Sequence, residues 1–575
     1  MKNDLIPALL IFLGSIAISL PLTKPGLYVI HDDQQVARLY LFDQALKTGQ
    51  FPVRWVDALG FGYGYPLFVF YPPLVYMLAE IFHLFGFGFI ESVKLVFFIS
   101  ILASGLSMYV LVKEFASRLP AVVSAFFYMY VPYRAIDVYI RGALAESFSF
   151  VWLPLILWSF YKLSTTNNIK YAATSSMFLA LLLITHNLIF LPFMLLLPFY
   201  LLFLVIKSSH QKMFILKCLS SIVISFGLSA FFWFPALVEK KFTIVDQLLL
   251  VNLANYNIHF VYPSQLWNWS WGFGGSAAGL ADGISFKIGK LHVIAAVITF
   301  IFALIHLFKN KYLSRLSTVN CQLSTVFFML FLFSAFMTTY IAKPVWDLLP
   351  PLGYLQFPWR FLTFTALFAS ILAGAFIFML RLPLLKLVAT TILLVLVIIP
   401  NLKLFKPQAY RLNLNDDIAT SKETITWGVS SSSFEYVPKG VDLYRGPLGT
   451  NLVSIQKSQI PLQKIEIEKG QAQIFDLVTK PSKVEFDVTS QQESKLKANI
   501  FNFPGWQVSI DGRKTLIDDY NRLKLITFNV PANSHHVKLE FKNTLPRTTA
   551  NLLSLFSLFL ISFFTFYFKW KGNLK

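Results

Sequence analysis

The apolar residues of the chain are gathered into runs of about 18–22 residues, the length that a helix needs to cross the hydrocarbon core of a bilayer. We therefore predict a helical polytopic membrane protein. The predicted spans are residues 5–22, 93–112, 115–133, 147–161, 171–186, 188–206, 214–236, 291–308, 324–341, 361–380, 384–403 and 548–568. A further apolar segment, 71–89, carries Pro72, Pro73, Glu80 and His83. We interpret it as an interfacial or re-entrant helix on the outer face.

Lysine and arginine residues mark alternate connections between these runs. They lie in the N-terminus, in the connections at 113–118, 162–170, 207–217, 309–315 and 381–386, and in the C-terminal tail. Basic residues concentrate on the cytoplasmic side of membrane proteins. All of these positions fall on that side only if twelve helices cross. We therefore predict a multi-pass protein of a bacterial plasma membrane, with both termini in the cytoplasm.

The connection before the last predicted span, residues 404–547, has the pattern of β-strands. Trp506, Val508 and Ile510 alternate with polar residues ahead of an Asp511-Gly512 turn. The sequence thus predicts three parts: a membrane domain (1–403), an extracytoplasmic β-rich, sandwich-like domain (404–547), and a final helix with a basic tail (548–575).

Composition agrees with a membrane location and excludes other classes. Hydrophobic residues make up 56% of the chain, charged residues 14%, and the mean hydropathy is +0.61. The formal charge of +20 is spread over short connections and forms no basic patch, so we predict no nucleic-acid partner. The two cysteines, Cys218 and Cys321, have no disulfide or zinc spacing. No Walker-type glycine-rich loop occurs, which disfavours an ATP-driven pump.

Two adjacent carboxylates, Asp32 and Asp33, follow the first predicted span by about ten residues, where they would lie just above the membrane surface. At that depth a carboxylate can act as a general base or help to bind a divalent cation such as Mg²⁺ or Mn²⁺. A solvated loop without chemistry is the alternative interpretation.

A second outer loop carries four charges between two apolar helices: Arg134, Asp137, Arg141 and Glu146. Charges this close to hydrocarbon are costly and are usually paired or functional. The planar guanidinium of Arg141 suits a phosphate group. Two interpretations stay open for Asp137 and Glu146, which either contribute to a metal site or pair with the arginines of the same loop.

Three further positions on the outer side are candidates. His186 lies where one predicted span ends and the next begins. It is either a polar group with its hydrogen bonds satisfied or a ligand. Arg360 opens a span, where it either holds an anionic group or extends to lipid headgroups. Glu80 and His83 are three positions apart on the interfacial segment, so they share one helix face.

The order of these motifs resembles a known superfamily. The acidic pair is followed by Tyr71-Pro72-Pro73-Leu74, by Arg141-Gly142-Ala143-Leu144-Ala145-Glu146, by Thr185-His186-Asn187 and by Gln356-Phe357-Pro358-Trp359-Arg360. Together they resemble the GT-C membrane glycosyltransferases, in particular the bacterial membrane proteins labelled 6-pyruvoyl-tetrahydropterin synthase-related and their YfhO-like relatives. Phe503-Pro504-Gly505-Trp506 is similar to the outer domain of the YfhO-like proteins.

The resemblance implies a transferase that takes a sugar from a polyprenyl-phosphate-linked donor. The acceptor would be a glycan, lipid or protein of the cell envelope. By position, Asp32 or Asp33 would be the general base, and Asp137 would match an acidic residue that binds metal in some members. Arg141 and Arg360 would stabilise the departing phosphate.

Two other classes of function remain open. A transporter of lipid-linked saccharides would also have many helices, but its ionisable residues would lie at mid-helix rather than at the outer loop ends. A non-catalytic protein of polysaccharide assembly would use its β-rich domain to hold the glycan, and Asp32 and Asp33 would then be dispensable.

Overall fold

The computed structural model describes residues 4–251, 255–309, 315–442 and 455–573. Apart from α2, which the apolar pattern did not predict, its longer helices lie within or overlap the predicted apolar segments. They are Leu5–Ser19 (α1), Gln35–Lys47 (α2), Leu74–Leu84 (α3), Phe89–Phe115 (α4), Arg118–Met129 (α5), Leu144–Thr166 (α6), Ile169–Thr185 (α7), Asn187–Lys207 (α8), Gln211–Leu228 (α9), Ala230–Glu239 (α10), Lys290–Lys309 (α11), Arg315–Thr338 (α12), Leu362–Met379 (α13), Pro383–Leu402 (α14) and Leu545–Asn573 (α15).

Nine helices within the described ranges are long and apolar enough to cross a membrane, which confirms a multi-pass membrane protein. The other three predicted spans correspond to α5, α7 and α15. Of these, α5 has 12 residues and α7 has 17, so the count of twelve stays a prediction. The predicted span 214–236 is divided between α9 and α10, which meet at Ser229. The predicted interfacial segment contains α3, a helix of 11 residues.

The helices differ sharply in how much of their surface the protein itself covers. The apolar window of Pro358–Met379, which contains α13, is 89% buried, whereas that of α14 is 11% buried. The helix α13 packs against α5, α11 and α12, and α4 packs against α5 and α6. The centre of the bundle is therefore α13, and α14 presents leucine and isoleucine side chains outward, as lipid-facing helices do.

The C-terminal β-rich region before the last helix is confirmed. The strands are Leu27–Tyr28 (β1), Tyr410–Arg411 (β2), Ile465–Lys469 (β3), Ala472–Lys480 (β4), Lys483–Ser490 (β5), Ser494–Phe501 (β6), Trp506–Ile510 (β7), Arg513–Thr515 (β8), Leu525–Val530 (β9) and Asn533–Phe541 (β10). They form antiparallel sheets of order β4-β5-β10-β7-β8 and β3-β6-β9. The alternation places Val508, Val537 and Leu539 in the core, where a sheet needs apolar side chains.

A buried ion pair fastens the β-rich region to the membrane helices. Arg547, in the first turn of α15, donates from Nη2 to Oε2 of Glu239 at 2.8 Å and to the carbonyl of Pro504 at 2.8 Å. Glu239 is the last residue of α10, and Pro504 precedes β7. Both charged side chains are almost fully buried. A charge in such surroundings requires a partner, so the pair fixes the position of β7 relative to α10.

Residues 410–442, which we call the strap, lie between α14 and β3 in the chain. The strap begins with β2, which pairs with β1 through Leu27 opposite Arg411 and Tyr28 opposite Tyr410. Its Asp416 accepts hydrogen bonds from the first amides of α4, at 2.7 Å from Phe89 and 3.0 Å from Ile90. The strap therefore contacts the connection between the first two predicted spans, residues 23–92, which we call the first outer loop.

The orientation of the chain in the membrane is testable with single cysteines on a Cys218→Ser, Cys321→Ser background. Tyr520 is 93% exposed in the β-rich region, and Lys212 is exposed in the first turn of α9. Because basic connections stay in the cytoplasm, we expect an impermeant thiol reagent to label Tyr520→Cys in intact cells and Lys212→Cys only after permeabilisation. Labelling of Lys212→Cys but not Tyr520→Cys in intact cells would contradict the orientation.

Candidate functional site

The first and second outer loops are joined by backbone hydrogen bonds at the outer end of the bundle. The amide of His31 donates to the carbonyl of Ile140 at 3.0 Å, and that of Asp32 to Arg141 at 2.8 Å. The helical turn Asp137–Arg141 ends at Gly142, whose φ is +68°. A Cβ there would lie 2.4 Å from Cδ1 of Ile30. Glycine is therefore required at this position by both its conformation and its contact.

Arg141 is the centre of a buried network of charges. Its Nη1 donates to Oδ1 of Asp137 at 2.5 Å and to Oε2 of Glu146 at 2.8 Å. Tyr133 donates its hydroxyl to the other oxygen of Glu146 at 2.6 Å. The guanidinium lies over the ring of Trp359, 4.6 Å from its centroid. The pairing within the loop, which the sequence left open, is thus present.

Arg360 is the second guanidinium of the site, and its hydrogen bonding is less complete. Its Nη1 donates to the carbonyl of Leu355 and to Oε1 of Gln356, the latter at 3.3 Å. Its Nε lies 3.5 Å from Oε2 of Glu146 but makes no hydrogen bond. The side chain is buried. Arg360 thus retains a buried N–H donor without an acceptor, which is costly unless a further group binds there.

The protonation of Asp137 decides the net charge of this network. Burial raises the pKa of Asp137 well above its usual range, and the neighbouring charge of Glu146 raises the pKa further. Its Oδ2 is buried and has no hydrogen-bond partner among the described residues. With Asp137 neutral, Arg141 and Arg360 face one carboxylate, Glu146.

His186 lies next to the arginines in its neutral form. Burial, and then the charge of Arg360, lower the pKa of His186 to about 3. Its Nδ1 accepts a hydrogen bond from the amide of Ile189 at 3.1 Å, which caps α8. The capping role accounts for a histidine at this helix start, and the imidazole adds no positive charge near pH 7.

The two adjacent aspartates have different surroundings. Asp32 is exposed at the rim of the network, close enough to interact electrostatically with Arg141, Arg360 and Tyr71. Asp33 lies 3.6 Å from the guanidinium of Arg411, a residue of the strap. Partial burial raises the pKa of Asp33. Asp32 therefore borders the arginines, while Asp33 has an ion-pair partner of its own.

Glu80 and His83 are not brought into this network. Glu80 is buried on α3 beside Asp43, and burial followed by the charge of Asp43 raises the pKa of Glu80 to about 7. The Nδ1 of His83 forms a hydrogen bond with the carbonyl of Phe87 at 2.9 Å, and its ring stacks on Phe89. His83 therefore has local partners, whereas Oε2 of Glu80 is buried and has no hydrogen-bond partner among the described residues.

The carboxylates do not fit a divalent cation in this arrangement. Such an ion takes several oxygen ligands, but Arg141 lies between Asp137 and Glu146 and occupies one oxygen of each. Within the described ranges no group of three or more His, Cys, Asp or Glu side chains is arranged to hold a metal ion. Mg²⁺ or Mn²⁺ therefore has no supporting geometry here.

Three residues that contact the network were not predicted as site residues: Tyr133, Trp359 and Thr363. Tyr133 and Trp359 stand next to charged positions of the two motifs, and that adjacency was an available signal. Thr363, whose hydroxyl lies 3.3 Å from Oε1 of Glu146, is one helical turn beyond Arg360 on α13. A threonine in an apolar helix carries no such signal by itself.

Comparison with known proteins gives only remote structural matches. No protein-family model and no curated protein matches the sequence. Two structures of the Archaeoglobus fulgidus oligosaccharyltransferase match with TM-scores of 0.39 and 0.42 at 12% and 11% identity. One contains zinc and sulfate, the other a tethered acceptor peptide. They cover 72% of this chain, which spans about half of theirs (53% and 55%).

A third match is ArnT from Cupriavidus metallidurans bound to undecaprenyl phosphate. Its TM-score is 0.31 at 11% identity, and the match covers 65% of this chain and 78% of ArnT. TM-scores below 0.5 do not establish a common fold. The resemblance to the YfhO-like proteins thus stays a prediction from the sequence motifs.

The assignment of charge to the network is testable with two isosteric variants. Glu146→Gln removes the carboxylate that Arg141 and Arg360 share, and breaking such a buried pair costs about 3–5 kcal/mol. Asp137→Asn replaces a group that we expect to be neutral already, so its cost should stay near ~1 kcal/mol. We expect thermal unfolding of the purified protein at pH 7 to show a much larger loss for Glu146→Gln. Equal losses would mean that Asp137 is ionised.

Proposed function

We propose that this protein is a membrane glycosyltransferase that transfers a sugar from a polyprenyl-phosphate-linked donor to an acceptor of the cell envelope, on the extracytoplasmic face. The observation that carries the proposal is the position of an exposed carboxylate, Asp32, at the rim of two buried guanidinium groups, Arg141 and Arg360. Glycosyl transfer needs a base for the acceptor and a cationic site for the leaving phosphate.

In the proposed reaction the acceptor hydroxyl attacks the anomeric carbon of the donor sugar. A new C–O bond forms there while the bond to the phosphate oxygen breaks, and the polyprenyl phosphate leaves with the electron pair. Asp32 takes the proton of the acceptor hydroxyl. Arg141 and Arg360 stabilise the phosphate, whose negative charge increases as the bond breaks.

The two guanidinium groups support the binding of an anion. Both lie against one shared carboxylate, Glu146, and the Nε of Arg360 makes no hydrogen bond among the described residues. A phosphate oxygen would supply that acceptor and a second negative charge. A guanidinium forms paired, charge-assisted hydrogen bonds with phosphate, which are stronger than neutral ones.

One observation favours a second candidate, a non-catalytic protein of glycan assembly or of lipid-linked saccharide transport. Arg141 already has two carboxylate partners, Asp137 and Glu146, at hydrogen-bonding distance. A network of this kind also holds two outer loops together without any ligand. The two candidates differ in what they require of Asp32, because only the enzyme needs a proton acceptor at the rim.

The decisive experiment compares transfer and donor binding in carboxylate variants. Removing a general base costs about 10²–10⁴ in rate, while binding changes little because the base acts in the transition state. For Asp32→Asn we therefore expect loss of transfer from an undecaprenyl-phosphate-linked sugar, with unchanged affinity for undecaprenyl phosphate in nanodiscs. Arg360→Gln should instead weaken that affinity, by about 1.5–3 kcal/mol for a charge-assisted hydrogen bond.

The matched control is Asp347→Asn, which changes a half-exposed aspartate that pairs with Lys343 in another outer loop. Asp33→Asn tests the neighbouring carboxylate, and we expect a smaller effect on transfer because Asp33 pairs with Arg411. Normal transfer in a double Asp32→Asn, Asp33→Asn variant would end the catalytic proposal and favour the second candidate.

A further inference from the structure

The strap and the start of α2 form a wall beside Asp32, because the next two residues in the chain, Asp33 and Gln34, contact the strap. The side-chain amide of Gln34 donates to the hydroxyl of Ser432 at 3.1 Å. The hydroxyl of Tyr65 accepts the amide of Tyr436 at 2.9 Å, and the ring of Tyr436 stacks on Phe70 at 4.9 Å. These contacts hold the strap against the first outer loop two residues after Asp32.

Arg38 is a buried charge within this wall. It is 5% exposed. Its Nη2 donates to the side chain of Gln34 and to the hydroxyl of Ser433, the latter at 3.2 Å, and its guanidinium lies 4.2 Å from the ring centroid of Tyr71. Its Nε is buried and has no hydrogen-bond partner among the described residues. Arg38 has no carboxylate within 4 Å in that part of the chain.

Glu435 is a half-buried carboxylate in the same wall. Its two oxygens lie 3.4 and 3.3 Å from the hydroxyl of Ser433, the residue that also contacts Arg38. Glu435 interacts electrostatically with Arg38. No lysine or arginine of the described ranges lies within 4 Å of its carboxylate. Ser433 thus separates a cation and an anion that do not neutralise each other by direct contact.

We propose that Arg38, Ser433 and Glu435 form the subsite that binds the hydroxyl groups of a carbohydrate acceptor. The inference rests on the proposed function for the role of the bound sugar as acceptor. The strap thereby contributes specificity to a site whose reacting groups belong to the first and second outer loops. Glu435 and Arg38 bind the acceptor, and Asp32 takes its proton.

The chemistry of the three side chains fits a sugar rather than a charged or apolar ligand. A guanidinium only donates hydrogen bonds, a carboxylate only accepts them, and a serine hydroxyl does both. Neighbouring sugar hydroxyls both donate and accept, so they satisfy all three groups at once. Tyr71 is half-buried, lies under the guanidinium of Arg38 and interacts electrostatically with Asp32, so an aromatic ring neighbours both the subsite and the base.

The subsite is testable by a binding measurement that needs no turnover. The probes are the methyl glycosides of glucose, galactose, mannose and N-acetylglucosamine, observed by saturation-transfer NMR on the full-length protein in nanodiscs. We expect at least one of them to bind the unaltered protein. Glu435→Gln should weaken that binding about tenfold or more, because a charge-assisted hydrogen bond is lost.

Two further variants make the result specific. Ser433→Ala should weaken the same glycoside, since it removes the hydroxyl that contacts both charges. Glu423→Gln is the matched control, because Glu423 lies in the same strap, is 71% exposed and pairs with Lys457. We expect the Glu423→Gln variant to bind the glycoside as tightly as the unaltered protein does. Thermal unfolding of each variant separates loss of binding from loss of folding.

Kinetics separate this inference from the proposed function. In the transfer assay, Glu435→Gln should raise KM for the acceptor about tenfold, with affinity for undecaprenyl phosphate unchanged. Absence of glycoside binding to the unaltered protein, or equal binding to Glu435→Gln, would overturn the subsite. Glycoside binding that depends on Glu435 in a protein without transfer would leave the subsite standing and overturn the transferase.

Discussion

A guanidinium buried between two carboxyl groups determines the arrangement of the loops at this end of the bundle. Only about 6% of the surface of Arg141 is exposed, so its N–H groups need fixed acceptors. Asp137 and Glu146 supply them from the two ends of one loop, and Glu146 also supplies the negative charge. The turn between them must then close sharply, which it does at Gly142. The first outer loop docks onto that turn because nothing larger than glycine is there.

The first outer loop is consequently held along both edges. On one side its backbone bonds to the carbonyls of Ile140 and Arg141, and on the other β1 pairs with β2 of the strap. A segment fixed twice in this way keeps Asp32 at a defined depth although its side chain is exposed. The position of the carboxylate is therefore set by the backbone hydrogen bonds of the loop that carries it.

Local signals in the sequence predicted some of these features and missed others for physical reasons. The spanning helices are encoded by run length and hydropathy, which are local, and nine of them are found in the part of the chain that the structure describes. The alternation around Trp506 predicted β7 for the same reason. The contact of Gln34 with Ser432 joins residues 398 positions apart, and no periodicity encodes such a contact. Contacts between residues far apart in the sequence also position the strap, pair Asp33 with Arg411 and build the wall around Arg38.

The different roles of Glu146, Asp137 and Asp32 follow from how far each side chain is buried. Glu146 and Asp137 are fully buried, and a buried carboxylate either keeps a cation beside it or becomes neutral. Glu146 keeps Arg141 and Arg360, and Asp137 favours its neutral form. Neither is then free to exchange protons with an incoming hydroxyl. An exposed carboxylate beside the same arginines meets neither restriction, and Asp32 is in that position. In the proposed reaction the proton transfer therefore takes place at the rim of the site, where the first outer loop and the strap meet.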